Sequence, residues 1–262
     1  MIDIHNHLEY MADPEQVLLE ARKRHMKAII TSIPDPKDIG KVLHLKEKYP
    51  TFFYLCLGFH PNGIEEYSDE EIDKYIDSFQ NEQYDIVGIG EIGLEYTNDM
   101  LAEDKDRMKA TFEKFIELAK IMRLPIVIHI RGEAFKDVFD ILERHQHRDV
   151  VLHCFSGSES DLQRALKNNY WISYATNVCF TKKHPRLASK TPLDRMMLET
   201  DAPWLDPDQN LRGKVVSSPQ ELTNRPWNIE KSAEVIAKLH NTTKEEVLKI
   251  TTHNAKKVFG IA

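Results

Sequence analysis

The sequence begins with Asp3-Ile4-His5-Asn6-His7-Leu8, which places two histidines two residues apart directly behind a short apolar start. In an extended strand successive side chains point to opposite faces, so these two imidazoles would share one face. Two neutral imidazoles on one side of a strand suit a shared cation, whereas two protonated ones would repel each other. The same spacing also fits an ordinary strand end with two exposed histidines, so the rest of the chain has to decide.

The length and composition are those of a folded protein. The chain has 262 residues, of which 41% are hydrophobic and 29% are charged. This length accommodates one large α/β domain or two small ones. Because the sequence has no internal repeat, low-complexity segment or break in composition, we expect a single domain over residues 1–262.

Several sequence features predict a cytoplasmic protein. No apolar run approaches the ~20 residues that span a bilayer, so no membrane partner is expected. No basic segment followed by an apolar core marks a secretory signal. The three cysteines, Cys56, Cys154 and Cys179, are few and odd in number, which favours reduced thiols. We expect each of them to be a small buried residue.

The charge balance limits how the protein could use nucleic acid. A formal net charge of −7 does not suit a protein that coats duplex DNA. A strand recognised locally, around one phosphate or one end, remains possible. The longest basic stretch, residues 182–190, is either part of a contact surface or a solvated helix. The sequence carries no signal for an oligomeric state.

Apolar, β-rich runs alternate with amphipathic helical patterns along most of the chain. The predicted strands are residues 1–4, 28–33, 52–59, 85–92, 125–130, 149–155, 170–175 and 195–200. The first helix has a capping residue, Asp13, and a proline at its first turn. Eight such alternations predict a TIM-type (β/α)8 barrel. The alternative is an open doubly wound sheet, but neither a G-x-G-x-x-G nor a P-loop motif is present.

Polar residues capable of chemistry recur where the predicted strands end. In (β/α)8 barrels the active site forms at the carboxyl ends of the strands. The residues predicted there are His5, His7, His60, Glu91, His129, Arg131, His153, Glu199 and Asp201. A single buried histidine is readily explained as a paired core residue. A metal site explains the whole set together.

The number of candidate ligands points to two ions. His5, His7, Glu91, His129, His153 and Asp201 are too many for one tetrahedral site. Two divalent ions about 3.5–4 Å apart and bridged by a carboxylate would use them all. Glu91 is the natural bridge, because it has two oxygens and lies in the middle of the barrel sequence. Imidazole and carboxylate suit Zn, Mn, Fe or Co, and suit Mg less well.

The sequence resembles the TatD family of metal-dependent hydrolases, within the amidohydrolase-like barrels. The matching blocks are D-x-H-x-H (3–7), G-x-H-P (58–61), G-E-I-G-L-E-Y (90–96), H-x-R (129–131), H-C-F-S-G (153–157), E-T-D-x-P-W-L (199–205), N-x-P (224–226) and T-x-N-A-x-x-V-F (252–259). Each block is weak alone. Together and in order, they cover essentially the whole chain and are highly specific.

This resemblance implies a distribution of ligands and a class of activity. It assigns His5, His7, Glu91 and Asp201 to one ion, and Glu91, His129 and His153 to the other. The family includes 3′–5′ exodeoxyribonucleases, and some relatives remove D-amino acids from tRNA. The chain departs from the family pattern at Glu95, where Asp is common, and at Asn6, where a small residue or Cys is common. Neither departure removes a ligand.

The expected mechanism is metal-assisted hydrolysis by an acidified water. Asp201 would be both a ligand and the base that orients this water and takes its proton. His60 would contact a substrate phosphate or the leaving group. Arg131 would either make a bidentate contact to a phosphate or pair with a nearby acid such as Glu133. Arg225 is a weaker candidate for a phosphate contact.

Two residues next to candidate ligands receive supporting roles. Glu199 would orient a ligand histidine, and Cys154 would point away from the site. Three hypotheses follow for the whole chain. The first is a two-metal DNase acting on single strands or ends. The second is a hydrolase of another bond, such as the ester of D-aminoacyl-tRNA. The third, a binding barrel without chemistry, ranks last because all six ligand positions are filled.

Overall fold

A computed structural model describes residues 1–81, 84–96, 100–208 and 221–262. Its strands form one parallel sheet in which each strand pairs with the next along the chain. The strands are β1 (Ile2–Asn6), β2 (Ala28–Ile33), β3 (Phe53–Leu57), β4 (Gly88–Glu95), β5 (Ile126–Arg131), β6 (Val150–Leu152), β7 (Trp171–Tyr174) and β8 (Met196–Leu198). The sheet curls until its two ends meet, which confirms the predicted TIM-type barrel.

Helices follow the strands and cover the outside of the barrel. They are α1 (Pro14–Lys23), α2 (Ile39–Lys48), α3 (Asp69–Asn81), α4 (Ala102–Met122), α5 (Phe135–His145), α6 (Glu159–Lys167), α7 (Lys183–Ala188), α8 (Ile229–Leu239) and α9 (Lys244–Phe259). The predicted cap of α1 is present, since the Asp13 side chain accepts a hydrogen bond from the Gln16 backbone N–H at 3.0 Å. No described helix has the length and apolar character needed to cross a membrane.

The alternation of side chains along β5 places two functional candidates inside the barrel. Ile126, Ile128 and Ile130 pack in the large apolar layer beneath the helices. Val127 belongs instead to a smaller cluster that also contains residues of the other strands and of the C-terminal helix. Because side chains alternate between the two faces of a strand, His129 and Arg131 lie on the same side as Val127. Both therefore point into the mouth of the barrel.

The bounds of every strand except β2 differ by a few residues from the sequence prediction, and those of β4 and β1 concern site residues. β4 continues to Glu95 and pairs there with Arg131, so Glu91 lies within the strand rather than at its end. The glycines of β4 interrupt its apolar pattern, and its register shifts between Ile89 and Ile92, so the sequence does not predict where this strand ends. His7 lies one residue beyond β1. Of the long loop predicted over residues 202–226, residues 209–220 lie outside the described ranges.

Candidate metal centre

The Glu91 carboxylate lies at the centre of the candidate ligands and is only 3% exposed. Its Oε2 atom is 3.4 Å from His5 Nε2 and 3.9 Å from His7 Nε2. Its Oε1 atom is 2.5 Å from His129 Nδ1 and 3.3 Å from His153 Nε2. Each oxygen of one carboxylate therefore faces a different pair of imidazoles.

The Oε2 side of Glu91 has the spacing of a cation site. His5 Nε2 and His7 Nε2 are 3.2 Å apart, and Asp201 Oδ1 is 3.4 Å from His7 Nε2 and 3.9 Å from His5 Nε2. Two ligands at 2.0–2.1 Å from a tetrahedral ion are about 3.3–3.4 Å apart. The ligand atoms of His5, His7 and Asp201 thus need little movement to share an ion.

The Oε1 side of Glu91 forms a second group with His129 and His153. All three side chains are buried. This group comes from three consecutive strands or their ends, since Glu91 lies on β4, His129 on β5 and His153 directly after β6. The structure therefore brings together all six residues that the sequence predicts as ligands.

The second ring nitrogen of each histidine in these groups faces a hydroxyl or a carboxylate. His5 Nδ1 is 3.0 Å from Ser32 Oγ, and His7 Nδ1 is 3.1 Å from Glu9 Oε1. The corresponding contacts of the other two are His129 Nε2 with Glu95 Oε2 at 2.9 Å and His153 Nδ1 with Glu199 Oε1 at 2.9 Å. Metal-binding histidines are held by this kind of outer contact. The donor set therefore fits divalent metal ions.

Asp201 is held in place by the closure of the barrel. Its backbone N–H donates to the His5 carbonyl at 3.0 Å, and its φ of 57° lies in the left-handed region, which is uncommon for a residue other than glycine. The preceding residue, Thr200, donates to the Asp3 carboxylate from its backbone N–H at 2.9 Å and from its hydroxyl at 2.6 Å. Asp3 thus anchors the strand end that carries Asp201 without being a ligand itself.

The charges of the two carboxylates are set by the histidines. Burial alone would raise the pKa of Glu91, but His153, His129 and His5 hold it well below its usual range. Burial would likewise raise the pKa of Asp201, but its hydrogen bond to His7 and nearby imidazoles lower it to about 2. Burial lowers the pKa of His7, yet its contacts with Asp201 and Glu9 outweigh this and raise the pKa well above 6.5. Because metal ligands must be deprotonated, a cation would displace the His7 proton.

His60 also reaches the centre, with its Nε2 atom 3.8 Å from Glu91 Oε1 and 3.3 Å from His129 Nδ1. Its Nδ1 atom accepts a hydrogen bond from the Asn62 backbone N–H at 3.1 Å. A neutral imidazole that accepts at Nδ1 carries its proton at Nε2. Burial lowers the pKa of His60 to about 4, so the ring is neutral. His60 therefore presents an N–H donor to the site.

A cavity of about 430 Å³ opens above these residues. Its walls include the aromatic side chains of Tyr10, Phe59, Tyr67 and Trp204. Trp204 stands edge-on to the His7 ring, with 5.1 Å between the centroids, and edge-on to Tyr10 at 5.4 Å. The cavity thus has charged groups at its base and apolar ring surfaces on its sides.

Residues 2–260 match the family model described as TatD related DNase. The chain is 34% identical over 268 residues to the uncharacterized metal-dependent hydrolase YabD of Bacillus subtilis (strain 168), covering 100% of this chain and 99% of that protein. The chain belongs to the TatD-related DNase family. It is a metal-dependent hydrolase, as the sequence predicts.

Two further TatD-family proteins resemble the chain over nearly their whole length. The human protein named Deoxyribonuclease TATDN3 is 29% identical over 270 residues, which cover 99% of this chain and 94% of that protein. The crystal structure of YJJV, a TatD homolog from Escherichia coli K12, superposes with a TM-score of 0.85 at 26% identity, covering 100% of this chain and 98% of that one. The barrel and its family are therefore established together.

The two arginines predicted to contact substrate lie in different environments of this TatD-family barrel. Arg131 lines the cavity, and its Nη1 atom donates to the Ile130 carbonyl at 2.8 Å. Among the described residues it forms no ion pair with Glu133. Arg225 is not among the residues that line the cavity. Its Nη1 atom donates to the carbonyls of Leu222 at 3.1 Å and Asn224 at 2.7 Å.

The sequence predicts some of the residues that support the candidate ligands and not others. It predicts Glu199 as a partner of a ligand histidine, and it flags Glu95 as a position near the ligands. It does not identify Ser32 or Glu9, which contact His5 and His7. Glu9 could have been identified from its position two residues after His7. Ser32 is recognisable only once β2 is known to face the end of β1.

Proposed function

We propose that this TatD-family protein is a two-metal deoxyribonuclease that hydrolyses phosphodiester bonds at the end of a DNA strand, in the 3′–5′ direction. The observation that carries the proposal is that the two oxygens of the Glu91 carboxylate face different pairs of histidines. Its Oε2 atom faces His5 and His7, and its Oε1 atom faces His129 and His153. A carboxylate placed in this way suits a bridge between two divalent ions, with Zn, Mn, Mg, Fe and Co as candidates.

Two such ions, when bound, would acidify a water molecule and polarise the phosphoryl oxygens. The protein residues supply orientation and proton transfer. Asp201 lines the cavity and its side chain is 16% exposed, so it reaches water. Its pKa of about 2 keeps the carboxylate ionised. Asp201 therefore orients the attacking water and accepts its proton.

His60 and Arg131 suit the recognition of the phosphate. His60 presents an N–H group 3.8 Å from the Glu91 carboxylate, where a phosphoryl or leaving oxygen would lie beside the metal ligands. Arg131 reaches the same cavity with a planar guanidinium, which matches two phosphate oxygens. Each group stabilises negative charge that develops during hydrolysis. Arg225 lies outside this cavity lining, so its contact to phosphate has the weaker support.

The dimensions of the cavity support action at a strand end. A cavity of about 430 Å³ lies within the size range of small-ligand pockets and does not enclose a duplex. The faces of Tyr10 and Trp204 suit stacking with a nucleobase, which is tolerant of base identity. Relatives named as deoxyribonucleases support DNA over other substrates. No contact in the structure favours the ester of D-aminoacyl-tRNA over a phosphodiester.

The first experiment combines metal analysis with a cleavage assay. We expect elemental analysis to find two divalent ions per chain. We also expect release of nucleotides from the 3′ end of labelled single-stranded DNA in the presence of Mg, Mn or Zn. Asp201→Asn should reduce kcat at least 100-fold, because the base is lost. Asp194→Asn is the matched control, since Asp194 is exposed and lies before β8 at the opposite end of the barrel.

Other results would redirect or overturn the proposal. Release from the 5′ end would contradict the stated direction. Bound metal without any DNA cleavage would exclude the deoxyribonuclease and make D-aminoacyl-tRNA the next substrate to test. Full metal content and full activity in both Asp201→Asn and His153→Ala would show that the ligand set is wrong.

A further inference from the structure

One side of the cavity rim carries Arg131 and two further cations, Lys182 and Lys183, that the proposed chemistry does not use. Arg131 ends β5 and lines the cavity. Lys182 and Lys183 follow the turn after β7. The Lys183 ammonium donates a hydrogen bond to the carbonyl of Ser156, which lies in the loop after β6. The loops after three neighbouring strands therefore bring Arg131, Lys182 and Lys183 to the same rim.

The charges of these lysines are not neutralised by carboxylates. Among the described residues, neither Lys182 nor Lys183 forms an ion pair, and both are exposed. Two other cations of the same stretch differ. Arg186 lies 3.5 Å from Glu159, and Lys190 lies 2.5 Å from it. In a chain of net charge −7, uncompensated cations beside the cavity form a local positive surface.

His184 connects the lysine stretch to the metal centre through Asn177. Burial lowers the pKa of His184 to about 4, and both Lys183 and Arg131 lower it further through their positive charges. The ring itself is fixed by Thr181 Oγ1 at 2.8 Å from Nδ1 and by Asn177 Nδ2 at 3.3 Å from Nε2. Asn177 Nδ2 also donates to Cys154 Sγ at 3.3 Å, so His184 is connected to the residue that follows the candidate ligand His153.

The cavity wall formed by the loops after β2 and β3 has the opposite character. Asp35 and Glu66 both line this wall, and Lys37 lies 3.5 Å from the Glu66 carboxylate. Tyr67 donates its hydroxyl hydrogen to Asp35. Glu66 is paired with Lys37, but Asp35 forms no ion pair among the described residues and repels a phosphate backbone, whereas the cations after β5–β7 attract one. A strand with one phosphate at the metal ligands is therefore favoured to leave the cavity in one direction.

We propose that Arg131, Lys183 and Lys182 form a track that binds successive backbone phosphates of a single nucleic-acid strand whose end occupies the cavity. The inference deepens the proposed function and rests on it for the identity of the strand. The track lets a protein of net negative charge bind DNA through one short surface. It also predicts that affinity grows with strand length over the first few nucleotides.

The salt dependence of DNA binding tests the track directly. The holoenzyme is titrated with fluorescent phosphorothioate oligothymidylates of two and eight nucleotides, which resist cleavage but keep their charges. Each phosphate contact on a single strand contributes about 0.7 to the slope of log K against log[salt]. We expect Lys182→Gln and Lys183→Gln each to lower the slope for the octamer by about 0.7. The affinity at 0.1 M salt then falls about fivefold per lysine.

Three controls separate charge from structure. Lys182→Arg should keep the wild-type slope, because it keeps the charge. Lys190→Gln removes a charge from the same stretch that is already paired with Glu159, and should leave binding unchanged. The dinucleotide should lose less affinity than the octamer in the two Gln variants. Lys183→Gln removes the hydrogen bond to Ser156 and could disturb that loop. Lys182 has no side-chain hydrogen bond or ion pair among the described residues, so Lys182→Gln tests the charge alone.

The outcomes distinguish this inference from the proposed function. Wild-type slopes in both Gln variants, or no binding of the octamer by the wild-type protein, would overturn the track. If the wild-type protein binds the octamer with the expected loss in the variants but cleaves no DNA, the track stands and the deoxyribonuclease proposal fails. If DNA is cleaved and the variants bind like wild type, the nuclease stands and the track is wrong.

Discussion

At the scale of single residues, the site is organised by carboxylates that contact the histidine ring nitrogens facing away from the candidate metal ions. Glu199 is fully buried and serves two partners through one oxygen. Its Oε1 atom lies 2.9 Å from His153 Nδ1 and accepts a hydrogen bond from the Cys154 backbone N–H at 2.7 Å. The Glu199 charge favours a proton on His153 Nδ1, which would leave Nε2, 3.3 Å from Glu91 Oε1, to bind a cation.

We therefore expect Glu199→Gln to weaken metal affinity by about 10–100-fold, the usual cost of losing such an outer partner. The change keeps the shape of the side chain but removes the charge that raises the pKa of His153 against the effect of burial. Competition with a chromogenic chelator measures the affinity. Glu47→Gln, on the exposed face of α2, is the control. Equal affinity in the wild type and Glu199→Gln would show that His153 does not depend on Glu199.

At the scale of the elements, the pairing of β4 with β5 places two of the candidate ligands, Glu91 and His129, side by side. Gly93 pairs with His129, and its φ is +148°, a conformation that other residues rarely adopt. A Cβ atom at Gly93 would lie 2.0 Å from the His129 carbonyl oxygen. Only glycine lets the two strands approach this closely beside Glu91 and His129.

Gly93→Ala should therefore reduce the free energy of unfolding by about 3 kcal/mol or more, through steric overlap and backbone strain. Gly40→Ala provides a matched control, because nothing lies within 4 Å of its Cβ position and it is in helix α2. That control should stabilise the protein by about 0.5–1 kcal/mol. Urea denaturation of both variants measures the difference. An unchanged free energy of unfolding in Gly93→Ala would mean that β4 and β5 can move apart without loss of stability.

The elements also show what the sequence can and cannot predict. The buried strands were predictable because continuous apolar runs such as residues 125–130 admit few alternatives. The six candidate ligands were predicted from the rule that barrel sites lie at strand ends, and the structure brings their side chains together. The extension of β4 to Glu95 was not predictable, since its glycines break the apolar pattern. The contacts of Ser32 and Glu9 depend on how neighbouring strands turn at the barrel mouth, which no local pattern records.

At the scale of the whole molecule, folding of the barrel buries many ionisable side chains close together. Six strands or strand ends contribute ionisable groups to one small volume, and the protein as a whole carries a net charge of −7. Without a cation, the balance rests on the raised pKa of His7, which lies beside the ionised carboxylates of Asp201 and Glu91. Metal ions that bind the folded state alone would add stability by mass action. The stability of the metal-free protein should therefore depend strongly on pH.

The His7–Asp201 pair defines the pH window of that dependence. The pKa of Asp201 falls from 3.8 to about 2 on folding, so its contribution is present above about pH 4 and is lost as the pH falls toward 2. The pKa of His7 rises well above 6.5. Its contribution is therefore complete below pH 6.5 and is lost as the pH rises through the higher value. The pair stabilises the metal-free fold most between about pH 4 and pH 6.5.

Comparison of the chelator-treated wild type with Asp201→Asn isolates the contribution of Asp201 to the free energy of unfolding. Between pH 5 and pH 3 the histidine is protonated in both the folded and the unfolded state, so only the carboxylate titrates. The wild type should lose about 1 kcal/mol of unfolding free energy more than the variant over this range. Urea denaturation at a series of pH values measures both curves. Parallel curves would show that His7 does not hold Asp201 in its ionised form, and that the two side chains come together only around a metal ion.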